Sequence, residues 1–273
     1  MSKKSPLVSV ILPTYNGRKD WITESINSVL NQTFKDFELI IINDCSTNDI
    51  ENTILELKQK DSRIIYVKNE KNLNQTRSMN KGIDYSKWKY IARIDDDDIR
   101  SDKDKLRKQF DFLENNEDYW FCWTDAEIVN EEWNFLYKLN KPYSDKDLRD
   151  NLIVWNRFVQ SSIFIRKETL DKVWKYDPKW NLVEDYEMRL RLWTVSKMCN
   201  LNNSFIKYRV NQNSVTIRNY KKQKWMTIKL ILKYYKYYPK KHLIKSIFFH
   251  LWEFIVPEKV TKFILKRIRG TKN

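Results

Sequence analysis

The sequence predicts an α/β domain built on a mostly parallel sheet with helices on both faces, followed by a basic helical extension. Short apolar, β-rich runs alternate with segments of helical periodicity, and this alternation is typical of parallel sheets. The net charge of +15 marks the extension, because residues 217–273 hold 16 Lys and Arg against two acidic residues. The sequence therefore indicates a nearly neutral domain over residues 1–216 and a basic tail over residues 217–273.

Four strands and four helices are predicted in the neutral region. The apolar runs place strands at residues 7–12, 37–42, 63–67 and 89–94. The spacing of apolar residues predicts intervening helices over 21–30, around 54–57, around 79–83 and over 103–115. Ligands of such sheets bind beyond the carboxyl ends of the strands. We therefore expect the functional site in the residues that follow the strands, namely 13–16, 43–46, 68–70 and 95–98.

Glycine, histidine and cysteine are scarce, and this excludes several classes of site. With three glycines, the chain contains neither a P-loop nor a dinucleotide-binding G-x-G-x-x-G motif. The two histidines, His242 and His250, leave residues 1–240 without a Ser-His-Asp triad or a His-ligated metal site. The cysteines are far apart and form no C-x-x-C pair, which indicates reduced thiols in a cytosolic protein: Cys45, Cys122 and Cys199.

Four consecutive aspartates, Asp95 to Asp98, follow the fourth predicted strand. Like charges packed this closely raise one another's pKa, so the arrangement is costly unless a cation neutralises it. Carboxylates without histidine or cysteine suit Mg²⁺ or Mn²⁺. The alternative interpretation is a solvated acidic loop at the start of the next helix, where aspartate is favoured.

Several ordered segments resemble family 2 glycosyltransferases. The opening PLVSVILPTYNGRKDWITESINSVLNQTFKDFELIIINDCSTND is similar to the nucleotide-binding start of that family. The later segments that resemble it are NEKNLNQTRSMNKGI, YIARIDDDDI with KLRKQFDFLE, VEDYEMRLRL and YRVNQNSVT. The resemblance covers about residues 6–216 and implies that this region is a catalytic domain with the GT-A fold. It also implies a divalent cation, Mn²⁺ or Mg²⁺, and transfer of a sugar from a nucleotide-diphosphate donor with inversion at the anomeric carbon.

The resemblance assigns a donor pocket. Asp44 matches the aspartate of the family that recognises the base of the donor, by family habit that of a UDP-sugar. The loop of Pro13, Thr14 and Tyr15 lines the same pocket, and Arg77 matches a basic position that meets the phosphates of the donor.

The resemblance also assigns the metal site and the catalytic base. Asp95 matches the nucleotide-contacting aspartate, Asp97 the metal ligand, and Arg93 the arginine ahead of them. Asp96 falls on the variable position of the family's D-A-D-D pattern, and Asp98 on the second of its paired aspartates. Asp185 matches the base that deprotonates the acceptor hydroxyl. Without the resemblance, Glu184 and Asp185 would be interpreted as a helix N-terminal pair favoured by the macrodipole.

Three positions depart from the family pattern. Asn211 stands where the family often has a histidine, which puts the closing side of the donor site in doubt. Cys45 and Asn74 replace common glycines, and such replacements are expected to alter the conformation of their loops. All the acidic residues of the pattern remain, so the sequence favours an active enzyme.

The tail interleaves lysines with aromatic residues. Two stripes at helical spacing suit helices that lie on an anionic membrane surface; they are Trp225, Ile228, Leu232 and Tyr235, then Val260, Phe263, Ile264 and Ile268. The alternative is that these apolar faces pack on the catalytic domain. The sequence predicts no signal peptide and no transmembrane helix. We therefore expect a cytoplasmic protein peripheral to the inner face of the membrane, acting on a glycan or lipid-linked acceptor.

Three rival functions stay open at this point. The basic tail alone has the charge for nucleic-acid binding, but the neutral body carries no motif for it, and we expect no nucleic-acid partner. Paired aspartates also fit a metal-dependent nucleotidyltransferase. The departure at Asn211 leaves room for a relative that binds nucleotide sugar without turnover.

Overall fold

The computed structural model describes residues 7–139, 145–146, 148, 152–154, 158–211, 218–238 and 240–256. Its strands are β1 Val8–Thr14, β2 Phe37–Asn43, β3 Ile64–Lys68, β4 Tyr90–Arg93, β5 Ile99–Arg100, β6 Tyr119–Val129, β7 Phe135–Leu139, β8 Phe164–Arg166 and β9 Lys197–Arg209. Its α-helices, numbered in chain order, are α1 Lys19–Leu30, α2 Ile50–Lys60, α3 Gln75–Tyr85, α4 Lys105–Glu114, α5 Lys167–Val173, α6 Glu184–Leu192, α7 Tyr220–Tyr234 and α8 Lys240–Ile255.

One sheet joins these strands in the order β3-β2-β1-β4-β8-β6-β9-β5, and β7 pairs with the end of β6 outside this order. The half made of β1 to β4 is parallel, as the sequence predicts. Beyond β4 the directions are mixed, because β8 runs antiparallel to both β4 and β6 while β9 runs parallel to β6. The sequence analysis placed no strands at β6 and β9, whose pairing joins segments that are far apart in the chain.

Both faces of the parallel half are buried under helices. On one face, Val10 and Leu12 of β1 pack with Ile22 and Ile26 of α1. On the other face, Ile11 packs with α3, and a Cβ on Gly82 of that helix would lie 2.5 Å from Ile11 Cγ2. Only glycine permits so close an approach of helix and strand. Burial on both faces explains why β1 and β2 read as continuous apolar runs.

The tail begins with a helix that belongs to the core. On α7, Ile228, Leu230, Ile231 and Tyr234 are buried, and the last three join the core cluster that contains α6. Of the predicted stripe, Ile228 is buried whereas Trp225, Leu232 and Tyr235 are exposed. The second stripe, Val260 to Ile268, and the predicted boundary at residue 217 lie outside the described residues. Within the described ranges, no helix is long and apolar enough to cross a membrane.

Candidate active site

The ends of three parallel strands meet where the sequence analysis expected the site. The β1 strand lies between β2 and β4, so the residues after each of them share one edge of the sheet. Asp44 donates its backbone N–H to the Thr14 carbonyl at 2.8 Å. Thr14 Oγ1 in turn donates to Asp96 Oδ2 at 2.5 Å. The predicted donor-pocket residues Thr14 and Asp44 are thus connected directly to the aspartate run.

Asp44 is buried and holds the segment that follows β3. Its Oδ1 accepts hydrogen bonds from Asn69 Nδ2 at 2.7 Å and from the Leu73 N–H at 2.8 Å. These bonds fix the carboxylate in one orientation at the floor of the predicted base pocket. Pro13 is buried beside it, whereas Tyr15 is half exposed and Arg77 is exposed on the first turn of α3. Tyr15 and Arg77 therefore present surface to solvent, whereas Asp44 is a buried acceptor held in place.

The four aspartates have different environments. Asp98 is fully buried and accepts from Ser161 Oγ and from the Arg209 N–H, the latter at 3.0 Å. Asp96 is held by Thr14, and a Cβ on Gly17 would lie 2.4 Å from its Oδ2, so a larger residue there would displace the carboxylate. The family-based assignment of Asp98 to the paired aspartates stays a prediction. Its hydrogen bonds with Ser161 and Arg209 show that Asp98 has a structural role.

Asp95, Asp96 and Asp97 are all partly exposed, and they differ in their hydrogen-bond partners. Asp95 Oδ1 accepts from Arg93 Nε at 2.8 Å and pairs with Arg93 Nη2 at 2.7 Å. Asp97 receives no side-chain hydrogen bond from any residue that the structure describes, and it is partly exposed. One oxygen-rich edge thus carries a carboxylate oriented by Arg93 and a neighbouring one that receives no side-chain hydrogen bond from the described residues.

Burial and, after it, mutual repulsion make these carboxylates costly to ionise. Burial, followed by the charges of Asp96 and Asp95, raises the pKa of Asp97 to about 8. Burial also raises the pKa of Asp96, with a smaller contribution from Asp95, and raises that of Asp98 well above its usual range. A cation at this edge would offset the repulsion.

Arg93 is buried behind Asp95, with 2% of its surface exposed. Burial lowers its pKa, but the carboxylates of Asp95 and Glu184 and the phenol of Tyr176 raise it by more. Its Nη1 has no hydrogen-bond partner among the described residues. The guanidinium therefore links the end of β4 electrostatically to the start of α6, where Glu184 lies.

Asp185 lies on the first turn of α6. Its Oδ1 accepts from the Tyr186 N–H at 2.7 Å, and its Oδ2 pairs with Arg189 Nη1 at 3.1 Å. Arg189 is fully buried, with its guanidinium 4.5 Å from the centre of the Phe158 ring. The Asp185 side chain keeps 23% of its surface exposed, so one carboxylate is both rigidly oriented and accessible.

Glu184, which precedes Asp185, has a more buried environment than Asp185. It is 6% exposed and accepts the Leu182 N–H at 2.9 Å. Burial, followed by the charge of Asp185, raises the pKa of Glu184 to about 7. Of the two acidic residues, Glu184 closes the turn before α6, and Asp185 offers its carboxylate to the site.

Tyr208 on β9 brings the two halves of the site together. Its phenol pKa is raised by burial and then by the charges of Asp98, Asp97, Asp95 and Asp185. The end of β4 and the start of α6 therefore lie within electrostatic reach of a single side chain. Sequence reasoning missed Tyr208, although it used the segment Y-R-V-N to which Tyr208 belongs.

Arg209, also missed, fixes the end of β9. Its guanidinium lies between the rings of Trp21 at 4.3 Å and Trp133 at 3.7 Å, and it pairs with Glu24 at 2.6 Å. The cation–π pair and the ion pair join α1, the β6–β7 turn and β9 beside the carboxylate of Asp98. Asn211 follows two residues later, at the edge of the site, and its predicted effect on donor closure stays a prediction.

The two residues that replace family glycines, Cys45 and Asn74, both have left-handed backbone conformations. Cys45 has φ 62° and Asn74 has φ 72° with ψ 165°. The second combination is a region occupied almost only by glycine, and it costs other residues about 1–3 kcal/mol. Asn74 compensates in part, because its side chain accepts the Arg77 N–H and caps α3.

We expect Asn74→Gly to raise the free energy of unfolding by about 1 kcal/mol, since glycine relieves the strain and costs only a few tenths as a helix cap. Asn74→Ala should lower it by about 1 kcal/mol, because alanine keeps the strain and removes the cap. Urea unfolding of the three proteins tests the order glycine, wild type, alanine. Equal stability of the glycine and alanine variants would contradict the account.

The helix that carries Asp185 is anchored from behind by the tail. Glu187 on α6 is 1% exposed and accepts Tyr234 Oη at 2.6 Å and Lys233 Nζ at 3.1 Å, both from α7. It also pairs with Arg191 at 2.9 Å. Burial alone would raise the pKa of Glu187, but Arg191, Tyr234 and Lys233 together outweigh it, so the pKa is lowered.

Tyr234→Phe should lower the free energy of unfolding at neutral pH by about 2 kcal/mol, because it removes a hydrogen bond to a buried charged carboxylate. A lowered pKa stabilises the fold above the unfolded value and loses that effect as the pH falls, so the deficit should shrink below pH of about 4. Urea unfolding of the variant and the wild type at neutral pH and below pH of about 4 measures this deficit. Tyr235→Phe, at a half-exposed position, is the control, and an equal loss there would contradict the assignment.

Comparison with known sequences supports the resemblance. The model of the family described as Glycosyl transferase family 2 matches residues 9–174. The chain is 34% identical over 247 residues to an uncharacterised glycosyltransferase of Methanocaldococcus jannaschii, covering 89% of this chain and 84% of that protein. It is 39% identical over 113 residues to TuaG of Bacillus subtilis, a putative teichuronic acid biosynthesis glycosyltransferase, covering 41% of this chain and 44% of that protein.

Solved structures show the same fold. The mannosyltransferase PcManGT of Pyrobaculum calidifontis, in complex with GDP-Man and Mn²⁺, matches with a TM-score of 0.68 at 12% identity, over 98% of this chain and 77% of that one. TarS 1–349 of S. aureus, in complex with UDP-GlcNAc, matches with a TM-score of 0.66 at 18% identity, over 83% of this chain and 66% of that one. The predicted GT-A fold is confirmed.

Proposed function

The chain belongs to family 2 of the glycosyltransferases, and from this premise we propose an inverting, metal-assisted transfer of a sugar from a nucleotide-diphosphate donor to an acceptor hydroxyl. The observation that carries the proposal is the hydrogen-bonded connection between Asp185 and the aspartates that follow β4. Asp185 pairs with Arg189, which donates to Gln160. The adjacent Ser161 donates to Asp98. A single accessible base facing an acidic edge suits displacement in one step.

The donor would lie along the ends of β1, β2 and β4. Asp44, held in place by Asn69 and Leu73, is the proposed acceptor for N–H groups of the base, with Pro13, Thr14 and Tyr15 beside it. Arg77 and Arg93 supply positive charge for the phosphates, and Asp95 is the proposed contact to the nucleotide. We propose a UDP-sugar, as in the TarS complex, although PcManGT carries GDP-Man.

The acidic edge fits a hard divalent cation, Mn²⁺ or Mg²⁺. Asp97 offers carboxylate oxygens that receive no hydrogen bond from a described side chain, and burial, followed by the charges of Asp96 and Asp95, raises its pKa in the metal-free protein. No preformed group of three acidic, cysteine or histidine ligands exists among the described residues. That suits an ion held by one or two carboxylates together with substrate phosphates. When bound, the cation supplies positive charge that stabilises the leaving diphosphate.

The chain itself supplies the base. The acceptor oxygen attacks the anomeric carbon from the face opposite the diphosphate and forms the new glycosidic bond, while the bond from that carbon to the diphosphate breaks. The acceptor proton passes to Asp185 Oδ2, which Arg189 holds at 3.1 Å. No second carboxylate acts as a nucleophile in this scheme, so the configuration inverts.

The acceptor is proposed to be a glycan or a lipid-linked glycan at the inner face of the membrane. The likeness to TuaG, a putative teichuronic acid biosynthesis enzyme, favours assembly of a surface polysaccharide by a bacterial-type enzyme. The basic tail, with 16 Lys and Arg in residues 217–273, favours a cytoplasmic protein that is peripheral to an anionic surface. We propose no nucleic-acid partner.

Thermal unfolding with a panel of nucleotides and nucleotide sugars, each with and without Mn²⁺ or Mg²⁺, tests the donor site. A ligand at about 100 times its dissociation constant should stabilise the protein by about 2.7 kcal/mol. We expect a metal-dependent shift with uridine nucleotides and release of nucleoside diphosphate during turnover. Release of pyrophosphate from a triphosphate would identify a nucleotidyltransferase instead, and no shift with any nucleotide would overturn the proposal.

A further inference from the structure

One face of α8 exposes apolar side chains to solvent. Ile244, Phe248 and Leu251 are 69%, 74% and 48% exposed, and they recur at intervals of four and three residues. Such spacing aligns them on one side of the helix over about 10 Å. A groove beside them, also lined by Trp252, has a volume of about 490 Å³. Large apolar side chains this exposed and this regularly spaced indicate a contact surface.

The lysines of α8 flank the same face. Lys240, Lys241 and Lys245 are exposed, and with the apolar row they occupy an arc of about 140° at 3.6 residues per turn. From Lys240 to Trp252 the sequence contains no acidic residue. The contact face, defined as these three lysines with Ile244, Phe248 and Leu251, is therefore both apolar and cationic.

The opposite side of α8 packs on the protein. Ser246 is buried and donates to the Ile153 carbonyl at 2.6 Å, and His250 is buried next to it in the helix. Helix α8 also packs against α7, which is bonded to α6 through Glu187. The contact face is thus presented by a docked helix on the same body as the proposed base.

We propose that the contact face of α8 binds the surface of an anionic lipid bilayer. Apolar side chains at the centre would enter the boundary between headgroups and acyl chains, and the flanking lysines would meet lipid phosphates. Charge complementarity selects this occupant over a second copy of the chain, since two such faces would bring six lysines together. The inference rests on the proposed function, because membrane binding through this face would bring the active site close to a lipid-linked acceptor.

Flotation of the full-length protein with vesicles tests the proposal. The vesicles are phosphatidylcholine alone, or phosphatidylcholine with about one-third phosphatidylglycerol to supply negative charge. We expect binding to the anionic vesicles only. The triple change of Lys240, Lys241 and Lys245 to Gln should weaken it about 100-fold, at about fivefold for each lysine.

Matched variants distinguish binding through the contact face from binding through surface charge in general. Changing Lys58, Lys60 and Lys87 to Gln removes equal charge from exposed positions elsewhere and should change binding far less. Ile244→Ser with Phe248→Ser should weaken binding, whereas Phe135→Ser with Leu136→Ser, also at exposed positions, should not.

Three results would overturn the proposal. One is equal binding to neutral and anionic vesicles, and another is an equal loss in both lysine variants. The third is a dimer of the wild type that Ile244→Ser with Phe248→Ser converts to a monomer, since that would make the face an interface between copies. Nucleotide-induced thermal shifts, measured on the same variants, report the donor site separately and should match the wild type.

Discussion

Asp185→Asn is expected to lower kcat by about 10³-fold while leaving the dissociation constant of the donor unchanged. An amide cannot accept the proton of the attacking hydroxyl, so the variant loses the base. Asparagine has the same size, and its single carbonyl oxygen can keep one of the two orienting contacts, that from the Tyr186 N–H or that from Arg189. Rates of nucleoside diphosphate release at saturating donor and acceptor, together with donor binding by calorimetry, measure the two quantities.

Asp171→Asn is the matched control, because it makes the same chemical change at an exposed position on α5. Its rate should equal that of the wild type. If Asp185→Asn kept more than about a tenth of the rate, general-base catalysis by this residue would be contradicted. A loss of donor binding in Asp185→Asn would instead place this residue in the donor pocket.

Asp97→Asn should have opposite effects on function and on stability. The rate of sugar transfer should fall by about 10³-fold, because loss of the proposed metal ligand would remove several kcal/mol of charge stabilisation from the leaving diphosphate. The metal-dependent thermal shift with nucleotide should disappear as well. Activity and thermal unfolding across a metal titration measure both effects, with Asp171→Asn again as the control.

The stability of the metal-free protein should rise in Asp97→Asn. Burial and the neighbouring aspartates raise the pKa of Asp97 to about 8, above the unfolded value of about 3.9. The folded state therefore binds the proton more tightly, so ionisation destabilises the wild type as the pH rises from about 4 to 8. Unfolding in chelator at pH of about 9 should show the variant as the more stable protein, and the difference should vanish near pH of about 4. A variant that is less stable at high pH would contradict a role as a repelled ligand.

Local pattern was sufficient for the parallel half of the sheet. Strands β1 to β4 lie within about two residues of their predicted positions, because each is a short apolar run between turn residues. Strands β6 and β9 were not predicted. Their pairing joins Cys122 to Cys199 and Val129 to Arg209, so their partners lie 77 to 80 residues away, beyond any local window.

The residues of the candidate site were predicted by motif, but the contacts that distinguish them were not. Four adjacent aspartates look alike in sequence, and only folding brings Ser161 and the Arg209 N–H to Asp98 and Thr14 to Asp96. The left-handed φ at Asn74 explains a family glycine that the sequence could only mark as a departure.

The sequence by itself determined the family, the carboxylates that follow β2 and β4, and the basic charge of the tail, since these depend on residue types at fixed spacing. Tertiary structure decided which carboxylates are buried, that Arg209 lies between Trp21 and Trp133, and that α7 is core while one face of α8 stays exposed. The physical reason is that burial and hydrogen-bond partners are set by elements far away in the chain. Periodicity shows that a helix has an apolar face, but only packing determines what that face touches.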